Sequence, residues 1–494
     1  MISQETLAPT AERALFEFDN SFARELPEFY VARRPNPVPA PRLLFLNAPL
    51  AGELRLDLAS LDDAEVAAIF AGNVVPPGAQ PLAQAYAGHQ FGGFVPQLGD
   101  GRALLLGEVI DRNGRRRDIA FKGSGRTVFA RGGDGKAAVG PMLREVLVSE
   151  SMHALGIPTT RALAVAATGE EVFRERALPG AVLTRVAASH IRVGTFQFYA
   201  ARGDVDSLRK LALYTIARHN PALADDAGPF VALLYHVVAR QASLIAQWMN
   251  VGFIHGVMNT DNMTVSGETI DYGPCAFMEA YDPAAVFSSI DAHGRYAFGN
   301  QPAIAGWNLA RFAETLLPLI SEKSEEAVAK AMEALNTFAP EFDAQVRRGQ
   351  RAKLGLPDEG DGDAALADDW LALLHAQRVD FTLGWRRLAD AADGNDAALR
   401  ALFADAGPLD AWLARWRTRE PSGPAMRRVN PFVIARNHRV EEALAAASDE
   451  DDLAPFERLL AALREPFVED EAQAPYAQPA AREVTDSYQT FCGT

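Results

Sequence analysis

Residues 253–265 read FIHGVMNTDNMTV, and their polar side chains have the types and spacing of a phosphoryl-transfer loop. Loops of the form His-Gly-Asp-x-x-x-x-Asn supply a proton-accepting Asp and a metal-binding Asn. Here Val257 occupies the position of that Asp. Because a valine cannot accept a hydroxyl proton, the loop indicates either an inactive kinase or an enzyme that uses ATP differently. Asp261, beside Asn262, is either a group that orients or deprotonates a hydroxyl or a turn-capping carboxylate.

Three more residues complete a set that is typical of Mg-ATP sites. Lys122 ends the apolar run DIAFK, Glu145 lies in the next helical pattern, and Asp271 lies in IDYGP. The Lys122 ammonium could reach nucleotide phosphates and pair with Glu145. Asn262 and Asp271 offer the oxygen ligands that Mg²⁺ or Mn²⁺ prefers. A lone Lys on a strand is usually a solvated residue, so the chain order of the whole set carries the prediction.

Two glycine-rich loops precede the predicted Glu145 helix. The first, QLGDGR, contains Gly99, Gly101 and Arg102, and the second, ARGGDGKAAVG, contains Asp134 and Gly135. Glycines let backbone amides approach a phosphate, and an arginine adds a bidentate donor. A plain β-turn is the alternative for Gly-Asp-Gly.

Two arginines follow, Arg185 in VLTRVA and Arg192 in SHIRVG. They lie where a kinase would form its adenine pocket. Cations at that place are unexpected unless the phosphates of the nucleotide lie there. His89 either contacts the substrate or bonds to the backbone of its own loop, and His255 is predicted to hold the catalytic loop in shape.

The elements that must position these residues fall into two parts. Two apolar runs joined by Asn113-Gly114 predict a β-hairpin, a helix is predicted from Pro141 to Gly156, and strands are predicted in RALAVAAT and AVLTRVA. From about residue 205 the pattern is helical, and PFVALLYHVVARQASLIAQWMN predicts a long core helix leading to the catalytic loop. Short strands are predicted in MTV and ETIDYG, more helices follow, and the last stretch is predicted to be an extended tail.

Composition limits the possible partners. The chain has 494 residues, 48% hydrophobic and 23% charged, with a formal net charge of −16. That charge argues against broad binding to nucleic acid or anionic lipid. No apolar stretch is expected to span a membrane, so a cytoplasmic protein is predicted. The two cysteines, Cys275 and Cys492, are either unpaired thiols or a redox-sensitive pair.

Eight runs of the sequence resemble the selenoprotein O family: YAGHQFGGFVPQLGDGRA, FKGSGRT, FARGGDGKA, LREVLVSESMHALGIPTTRAL, HGVMNTDNM, DYGPCAFM, GWNLARFAE and NPFVIARNH. The resemblance extends from about residue 15 to the C-terminus. It implies a protein adenylyltransferase of kinase-like fold, formerly regarded as a pseudokinase. Such an enzyme binds ATP in a flipped orientation and transfers AMP to Ser, Thr or Tyr hydroxyls, and bacterial members are also associated with UMP transfer.

The resemblance also implies roles for individual residues. It makes Asp261 the proton acceptor, Lys122 and Glu145 an ion pair, and Asn262 and Asp271 the metal ligands. Residues expected to contact the nucleotide are Gly99, Gly101, Arg102, Lys122, Asp134, Gly135, Arg185, Arg192 and Asp271. Members with selenocysteine carry it near the C-terminus, where this chain has Cys492, and the family's proposed disulfide would join Cys492 to Cys275.

The sequence therefore predicts an α+β protein with a two-lobed protein-kinase-like fold, a mixed α/β N-lobe, a mainly helical C-lobe and additional C-terminal helices. The expected divisions are residues 1–184, 185–466 and an extended tail at 467–494. The predicted activity is Mg²⁺- or Mn²⁺-dependent AMP transfer from ATP, with UTP as a possible second substrate. Protein substrates, self-modification and a monomer are expected. A γ-phosphotransferase and a non-catalytic ATP-binding scaffold are the alternatives.

Overall fold

The computed structural model describes residues 15–491, and most strands in that range lie before residue 190. In chain order the strands are β1 (Tyr30–Ala32), β2 (Arg42–Leu46), β3 (Leu82–Gln84), β4 (Gly88–Gln90), β5 (Gly93–Val95), β6 (Ala103–Ile110), β7 (Arg116–Lys122), β8 (Ala137–Ala138), β9 (Arg161–Phe173), β10 (Ala177–Ala187), β11 (Phe253–Ile254) and β12 (Ala276–Phe277). One antiparallel sheet has the order β1-β3-β6-β7-β10-β9-β2, with β8 paired to β10. Two separate hairpin-like pairs are β4–β5 and β11–β12.

Helices make up most of the rest of the described chain. They are α1 (Ser21–Glu25), α2 (Ala48–Glu53), α3 (Asp63–Phe70), α4 (Val139–Ala154), α5 (Val193–Ala200), α6 (Val205–His219), α7 (Pro229–Val251), α8 (Gln301–Ile320), α9 (Ser324–Asn336), α10 (Phe338–Lys353), α11 (Asp363–Ala376), α12 (Phe381–Ala392), α13 (Ala397–Arg400), α14 (Ala406–Arg417), α15 (Gly423–Arg427), α16 (Asn437–Asp449), α17 (Ala454–Arg464), α18 (Ala474–Ala477) and α19 (Arg482–Ser487). The α+β class predicted from the sequence is confirmed.

The predicted hairpin around Asn113-Gly114 is β6–β7, which brings Lys122 into the middle of the sheet. Gly114 has φ +75°, the left-handed conformation that favours glycine in such turns. The Asp111 carboxylate closes the turn by accepting hydrogen bonds from the backbone amides of Asn113 at 2.8 Å and Arg115 at 2.9 Å. The turn therefore fixes the register that places Lys122 opposite Ala103 on β6.

Helix α4 lies at the centre of the molecule. Almost all of its side chains are buried, including the charged Arg144 and Glu145. One hydrophobic core packs α4 against the sheet on one side and α16 and α17 on the other, and it continues through α7. The end of the chain therefore supports the helix that carries Glu145.

Helix α7 matches the predicted long core helix and ends at Gly252, whose φ is +73°. By length and hydropathy alone α7 could span a membrane, which the sequence analysis did not expect of any stretch. However, 56% of its most apolar 18-residue window is buried inside the protein, and its buried residues include Leu234, Val237 and Ile245. Because a core helix and a membrane span share the same apolar composition, the expectation of no membrane span stays a prediction.

Two smaller predictions differ from the structure. Residues 263–265 and 268–273 form isolated bridges instead of strands, because their backbones pair with single loop positions, Thr264 with Arg192 and Thr269 with Thr159. The predicted extended tail contains the short helices α18 and α19. The predicted boundary between residues 184 and 185 lies within β10, and the division into lobes stays a prediction.

Candidate active site

Four charged side chains meet at one point. They come from the sheet, from α4 and from the loop that follows residues 253–265. Lys122 Nζ contacts Glu145 Oε1 and lies 2.7 Å from Asp271 Oδ1. Arg185 Nη1 lies 2.6 Å from the same Asp271 oxygen and 3.7 Å from Glu145 Oε2. The Lys122–Glu145 contact expected from the sequence is present, and Asp271 joins it to Arg185.

Asp271 is held as an anion by these neighbours. Burial alone would raise its pKa, but the Lys122 and Arg185 cations outweigh burial and hold the pKa well below its usual range. Its backbone has φ +62°, an uncommon conformation for a residue other than glycine. Such strain persists where the surroundings enforce it, which here directs the carboxylate towards the two cations.

Arg192 lies directly before α5 and is buried with an incomplete set of partners. Its guanidinium lies 4.5 Å from the centre of the Tyr86 ring, and its Nη1 lies 3.6 Å from Asp100 Oδ1. Nε and Nη1 are buried without a hydrogen-bond partner in residues 15–491. Leaving such donors unpaired is costly, so this guanidinium is suited to bind an anion such as a phosphate.

The two glycine-rich loops face each other across a cavity of about 500 Å³. Its lining includes Gly99, Gly101, Arg102, Asp134, Gly135, Tyr86 and Phe129. Gly99 has φ +94°, and a Cβ there would lie 2.4 Å from the Phe129 ring. The loop therefore requires glycine at this position. The volume falls within the range of about 300–1,000 Å³ that is usual for small-molecule sites.

Arg102 and Asp134 show where this cavity lies relative to the charged cluster around Lys122. Arg102 also lines a neighbouring cavity of about 460 Å³ that includes Lys122 and Glu145. Asp134 pairs with Arg174, with 2.8 Å between Oδ2 and Nη1, and accepts a 2.9 Å hydrogen bond from the Lys136 amide. The structure thus connects the glycine loops to the Lys122 cluster through Arg102, while Asp134 belongs to the outer part of its loop.

Asp261 lies in a single 3₁₀ turn, Thr260–Asn262, and its two carboxylate oxygens differ. Oδ2 accepts a 3.2 Å hydrogen bond from Gln90 Nε2, while Oδ1 is buried without a partner in the described chain. A Cβ at Gly88 would lie 2.7 Å from Oδ1, so only glycine fits beside it. Burial raises the pKa of Asp261 to about 6.

The remaining loop residues hold the loop in shape. Asn262 Nδ2 donates to the Val257 carbonyl at 3.1 Å, which leaves the Asn262 side-chain oxygen available as a ligand. His255 is 1% exposed and bonds through Nε2 to the Ile270 carbonyl at 2.9 Å, so it ties the loop to the residue before Asp271. Burial lowers the His255 pKa.

Asn262 and Asp271 carry the kinds of oxygen that bind a divalent cation together with a nucleotide, and their role as metal ligands stays a prediction. Magnesium in such sites takes one or two protein oxygens and completes its shell with phosphate and water. Within residues 15–491 there is no group of three or more His, Cys, Asp or Glu side chains that could hold a metal.

The C-terminal tail reaches the segment that contains Cys275. Thr490 Oγ1 donates to the Pro274 carbonyl at 2.8 Å, and Thr490 pairs with Ser288. Cys275 is fully buried, and burial raises its pKa to about 11. Cys492 lies outside the described residues, so the expected Cys275–Cys492 pair stays a prediction.

Several site residues were not singled out by the sequence. Arg144 contacts the carbonyls of Gly273 and Cys275 through Nε at 3.2 Å and Nη2 at 2.6 Å. The others are Gln90, which binds Asp261, and Tyr86 and Asp100, which contact Arg192. The only signal was their position inside the runs YAGHQFGG, QLGDGR and LREVL, because no local pattern distinguishes such partners from ordinary polar residues.

Comparison with known proteins shows the family to which this chain belongs. A family model described as "Protein adenylyltransferase SelO" matches residues 13–464. Proteins named "Protein nucleotidyltransferase YdiU" are 62% identical in Cereibacter sphaeroides over 97% of this chain and 100% of the relative. In Chromobacterium violaceum the identity is 62% over 95% of this chain and 100% of the relative. In Mycolicibacterium paratuberculosis it is 60% over 99% and 100%. The chain belongs to the protein adenylyltransferase SelO family.

Proposed function

We propose that this adenylyltransferase binds ATP with its phosphates towards Arg185 and Arg192 and transfers AMP to a Ser, Thr or Tyr hydroxyl of a protein. One observation carries the proposal. Arg185 on β10 and Arg192 before α5 are buried with spare donors, while Val257 replaces the usual base and one buried oxygen of Asp261 has no hydrogen-bond partner in residues 15–491. That arrangement suits attack at the α-phosphorus better than attack at the γ-phosphorus.

The cations of the site would stabilise the leaving group. In the structure Asp271 neutralises Lys122 and Arg185, and phosphate oxygens would replace part of that contact. Arg192 and Arg102 add donors, and the Gly99 and Gly101 loop lets backbone amides come close. As the bond between the α-phosphorus and the bridging oxygen breaks, negative charge grows on pyrophosphate, and preorganised cations stabilise that charge.

Asp261 would take the proton. The acceptor hydroxyl oxygen forms a bond to the α-phosphorus, pyrophosphate leaves, and the hydroxyl proton passes to Asp261 Oδ1. The Gln90 hydrogen bond occupies Oδ2 and leaves Oδ1 for the acceptor proton. A group that accepts a proton must reach it at hydrogen-bond distance, and Oδ1 is the free oxygen.

Asn262 and Asp271 would hold Mg²⁺ or Mn²⁺. When bound, the metal supplies positive charge that orients and neutralises the phosphates. The side-chain oxygen of Asn262 is free because its nitrogen is used for the Val257 carbonyl.

We also propose the wider arrangement that the family resemblance implies. The sheet with α4 would form the N-lobe, residues 1–184, and the helices from 185 to 466 the C-lobe of a kinase-like fold, with a tail at 467–494. UMP transfer from UTP, self-modification, a monomeric state and a cytoplasmic location belong to the same proposal.

The position of the label in ATP tests the function. The protein is incubated with Mg²⁺ or Mn²⁺ and ATP labelled at the α- or the γ-phosphate, and its intact mass is measured. We expect the α label and an adenylyl mass on protein, and Asp271→Ala should abolish both. Transfer of the γ label alone would establish a kinase, and unlabelled protein that still binds ATP would establish a scaffold.

A further inference from the structure

The β4–β5 hairpin lies directly over the catalytic loop. The His89 amide donates to Thr260 Oγ1 at 2.7 Å, and the Phe91 amide donates to Asn259 Oδ1 at 3.2 Å. Between them Gln90 binds Asp261. A peptide bound to this hairpin is therefore held by the same element that contacts the proposed proton acceptor.

The outer side of the hairpin is aromatic and exposed. Phe91 is 39% and Phe94 41% exposed. The His89 ring connects Phe94 to α8, with ring centres 4.9 Å from Phe94 and 5.2 Å from Trp307, while the Phe91 ring lies 5.1 Å from that of Tyr296. Exposed aromatic side chains that are grouped in this way are typical of protein-binding surfaces.

Two arginines border these rings. The guanidinium carbons of Arg295 and Arg311 lie 4.9 Å and 5.0 Å from the centre of the Trp307 ring. Arg311 pairs with Glu314 at 2.7 Å. Arg295 forms no ion pair with any residue in the range 15–491, and it packs against Gly92, where a Cβ would lie 3.6 Å from its Cζ. We call Phe91, Phe94, Arg295, Trp307 and Arg311 the hairpin surface.

The charge of Arg295 is the second feature of the hairpin surface. The protein has a formal net charge of −16, so an acidic partner is repelled by most of its surface. An arginine without an ion-pair partner in residues 15–491, packed against the turn of the β4–β5 hairpin and the Trp307 ring, offers a local positive site. Arginine and aromatic side chains are also the residues that dominate binding energy in protein interfaces.

We propose that the hairpin surface docks the acceptor segment of the protein substrate. An acidic side chain close to the accepting hydroxyl lies against Arg295, and an apolar side chain lies against Phe91 and Phe94. This inference rests on the proposed function, because it takes the acceptor to be a protein hydroxyl. It adds a preference for serine, threonine or tyrosine flanked by Asp or Glu and an apolar residue.

Peptide binding tests the hairpin surface without requiring transfer. Two fluorescein-labelled peptides are identical except that their central leucine-serine pair is flanked by glutamates in one and by lysines in the other. Fluorescence anisotropy with the full-length protein at low salt should show at least fivefold tighter binding of the acidic peptide. Arg295→Glu should abolish or invert the preference, and Arg295→Gln should reduce it to near unity. Arg348→Glu, the same charge change on the exposed face of α10, should keep it.

A second pair of variants tests the aromatic side chains of the hairpin surface. Phe94→Ser should weaken the acidic peptide severalfold, while Phe173→Ser, at a position 71% exposed on β9, should not. Equal binding of both peptides by the wild type, or an unchanged preference in Arg295→Glu, would overturn the docking proposal. AMP transfer to the same peptides is then measured with α-labelled ATP. AMP transfer without a binding preference would overturn the docking proposal but not the proposed function. A binding preference without transfer of the α label would overturn the proposed function but not the binding role of the hairpin surface.

Discussion

The two carboxylate oxygens of Asp261 have different surroundings, because only Oδ2 has a hydrogen-bond partner in the described chain. Gln90 donates a hydrogen bond to Oδ2. Oδ1 lies against Gly88, where any Cβ would clash with it. A capping carboxylate would use its oxygens on nearby backbone amides, and here the one side-chain partner comes from a distant hairpin. The geometry therefore favours the catalytic alternative for Asp261 over the capping alternative.

Asp261→Asn should separate transfer from binding. An amide of the same shape cannot accept the hydroxyl proton, so we expect AMP transfer to fall by about 10²- to 10⁴-fold. ATP affinity, measured by calorimetry, should change little because the cations that face the phosphates stay in place. Asp206→Asn, an exposed carboxylate on α6, is the matched control. Transfer at the wild-type rate in Asp261→Asn would assign proton transfer elsewhere.

Gln90→Met should affect turnover more than nucleotide binding. Methionine keeps the length of the side chain and removes the donor to Asp261, at a cost of about 1–3 kcal/mol for a hydrogen bond to a charged group. We expect kcat to fall about tenfold, since 1.4 kcal/mol corresponds to that factor, with KM for ATP unchanged. Gln345→Met on α10 serves as the control. A change in KM with kcat unaltered would show that Gln90 contacts the nucleotide.

For individual residues, the sequence could identify a set whose order along the chain is typical of Mg-ATP sites. It could not identify the side chains that each of these residues contacts. The Lys122–Glu145 contact follows from a strand and a helix that adjoin in the chain. The bond from Asp271 to Arg185 and that from Gln90 to Asp261 depend on tertiary packing, which no local spacing encodes. The catalytic roles of these residues stay predictions.

Among the elements, β7 and α6 are joined by a buried charge network. Arg218 on α6 lies 2.5 Å from Asp118 Oδ1 on β7 and contacts Glu108 on β6. His190 Nδ1 lies 2.9 Å from the other Asp118 oxygen. Because α6 has few other links to the sheet through charged groups, this network fixes the helix against β6 and β7.

The pKa of Asp118 makes that network sensitive to acid. Burial would raise the pKa, but Arg218 and His190 outweigh it and lower the value to about 2. A carboxyl whose folded pKa is depressed contributes stability above its unfolded pKa and loses it as pH falls. At pH 7, Asp118→Asn should lower the free energy of unfolding by about 3–5 kcal/mol, as expected when a buried ion pair loses one partner.

Urea titrations of wild type and Asp118→Asn across pH check this prediction. The difference in unfolding free energy should be constant above about pH 4 and shrink between pH 4 and pH 2, the window set by the ordinary and folded pKa values. Asp396→Asn, at a partly exposed position with a lowered pKa, is the comparison variant. A difference that persists unchanged to pH 2 would contradict the assignment to Asp118.

The C-terminal tail is the second element with a testable role. Thr490 contacts Pro274, and Arg144 holds the carbonyls of Gly273 and Cys275, so the tail meets the segment that follows Asp271. Under oxidising conditions we expect a Cys275–Cys492 disulfide in non-reduced peptides by mass spectrometry. The bond would restrict that segment, so transfer should slow and recover with dithiothreitol.

Cys492→Ser supplies the control for the tail. Its transfer rate should not respond to oxidant or to dithiothreitol. Free thiols at both positions in oxidised wild type would rule out the disulfide, and an equal response of Cys492→Ser would assign the redox effect to another group.

Sequence reasoning at the scale of elements succeeded where the pattern is strong. Asn113-Gly114 and the apolar period of α7 predicted β6–β7 and the long helix, because turn chemistry and helical periodicity are local. The β4–β5 hairpin was missed, since GHQFGGFV contains three glycines and few strand-forming residues. It is held by the catalytic loop rather than by its own propensity.

At the scale of the whole molecule, the beginning and end of the chain share one core. Val146 and Leu147 on α4 pack in the same cluster as Leu444 on α16 and Leu460 on α17. The last helices are therefore part of the support for Glu145. The sequence predicted additional C-terminal helices but not this contact, because residues about 300 positions apart are related only by the fold.

Two truncations test that dependence. Ending the chain after residue 481 removes α19 and the end of the tail, and we expect a folded protein that still binds ATP. Ending it after residue 436 removes α16 and α17 and exposes the apolar face of α4. Because exposing each large buried side chain costs about 1.5–3 kcal/mol, that chain should lose its cooperative thermal transition by circular dichroism and its ATP binding. A shorter chain that melted cooperatively and bound ATP as the full-length protein does would show that the C-terminal helices are dispensable for the position of Glu145.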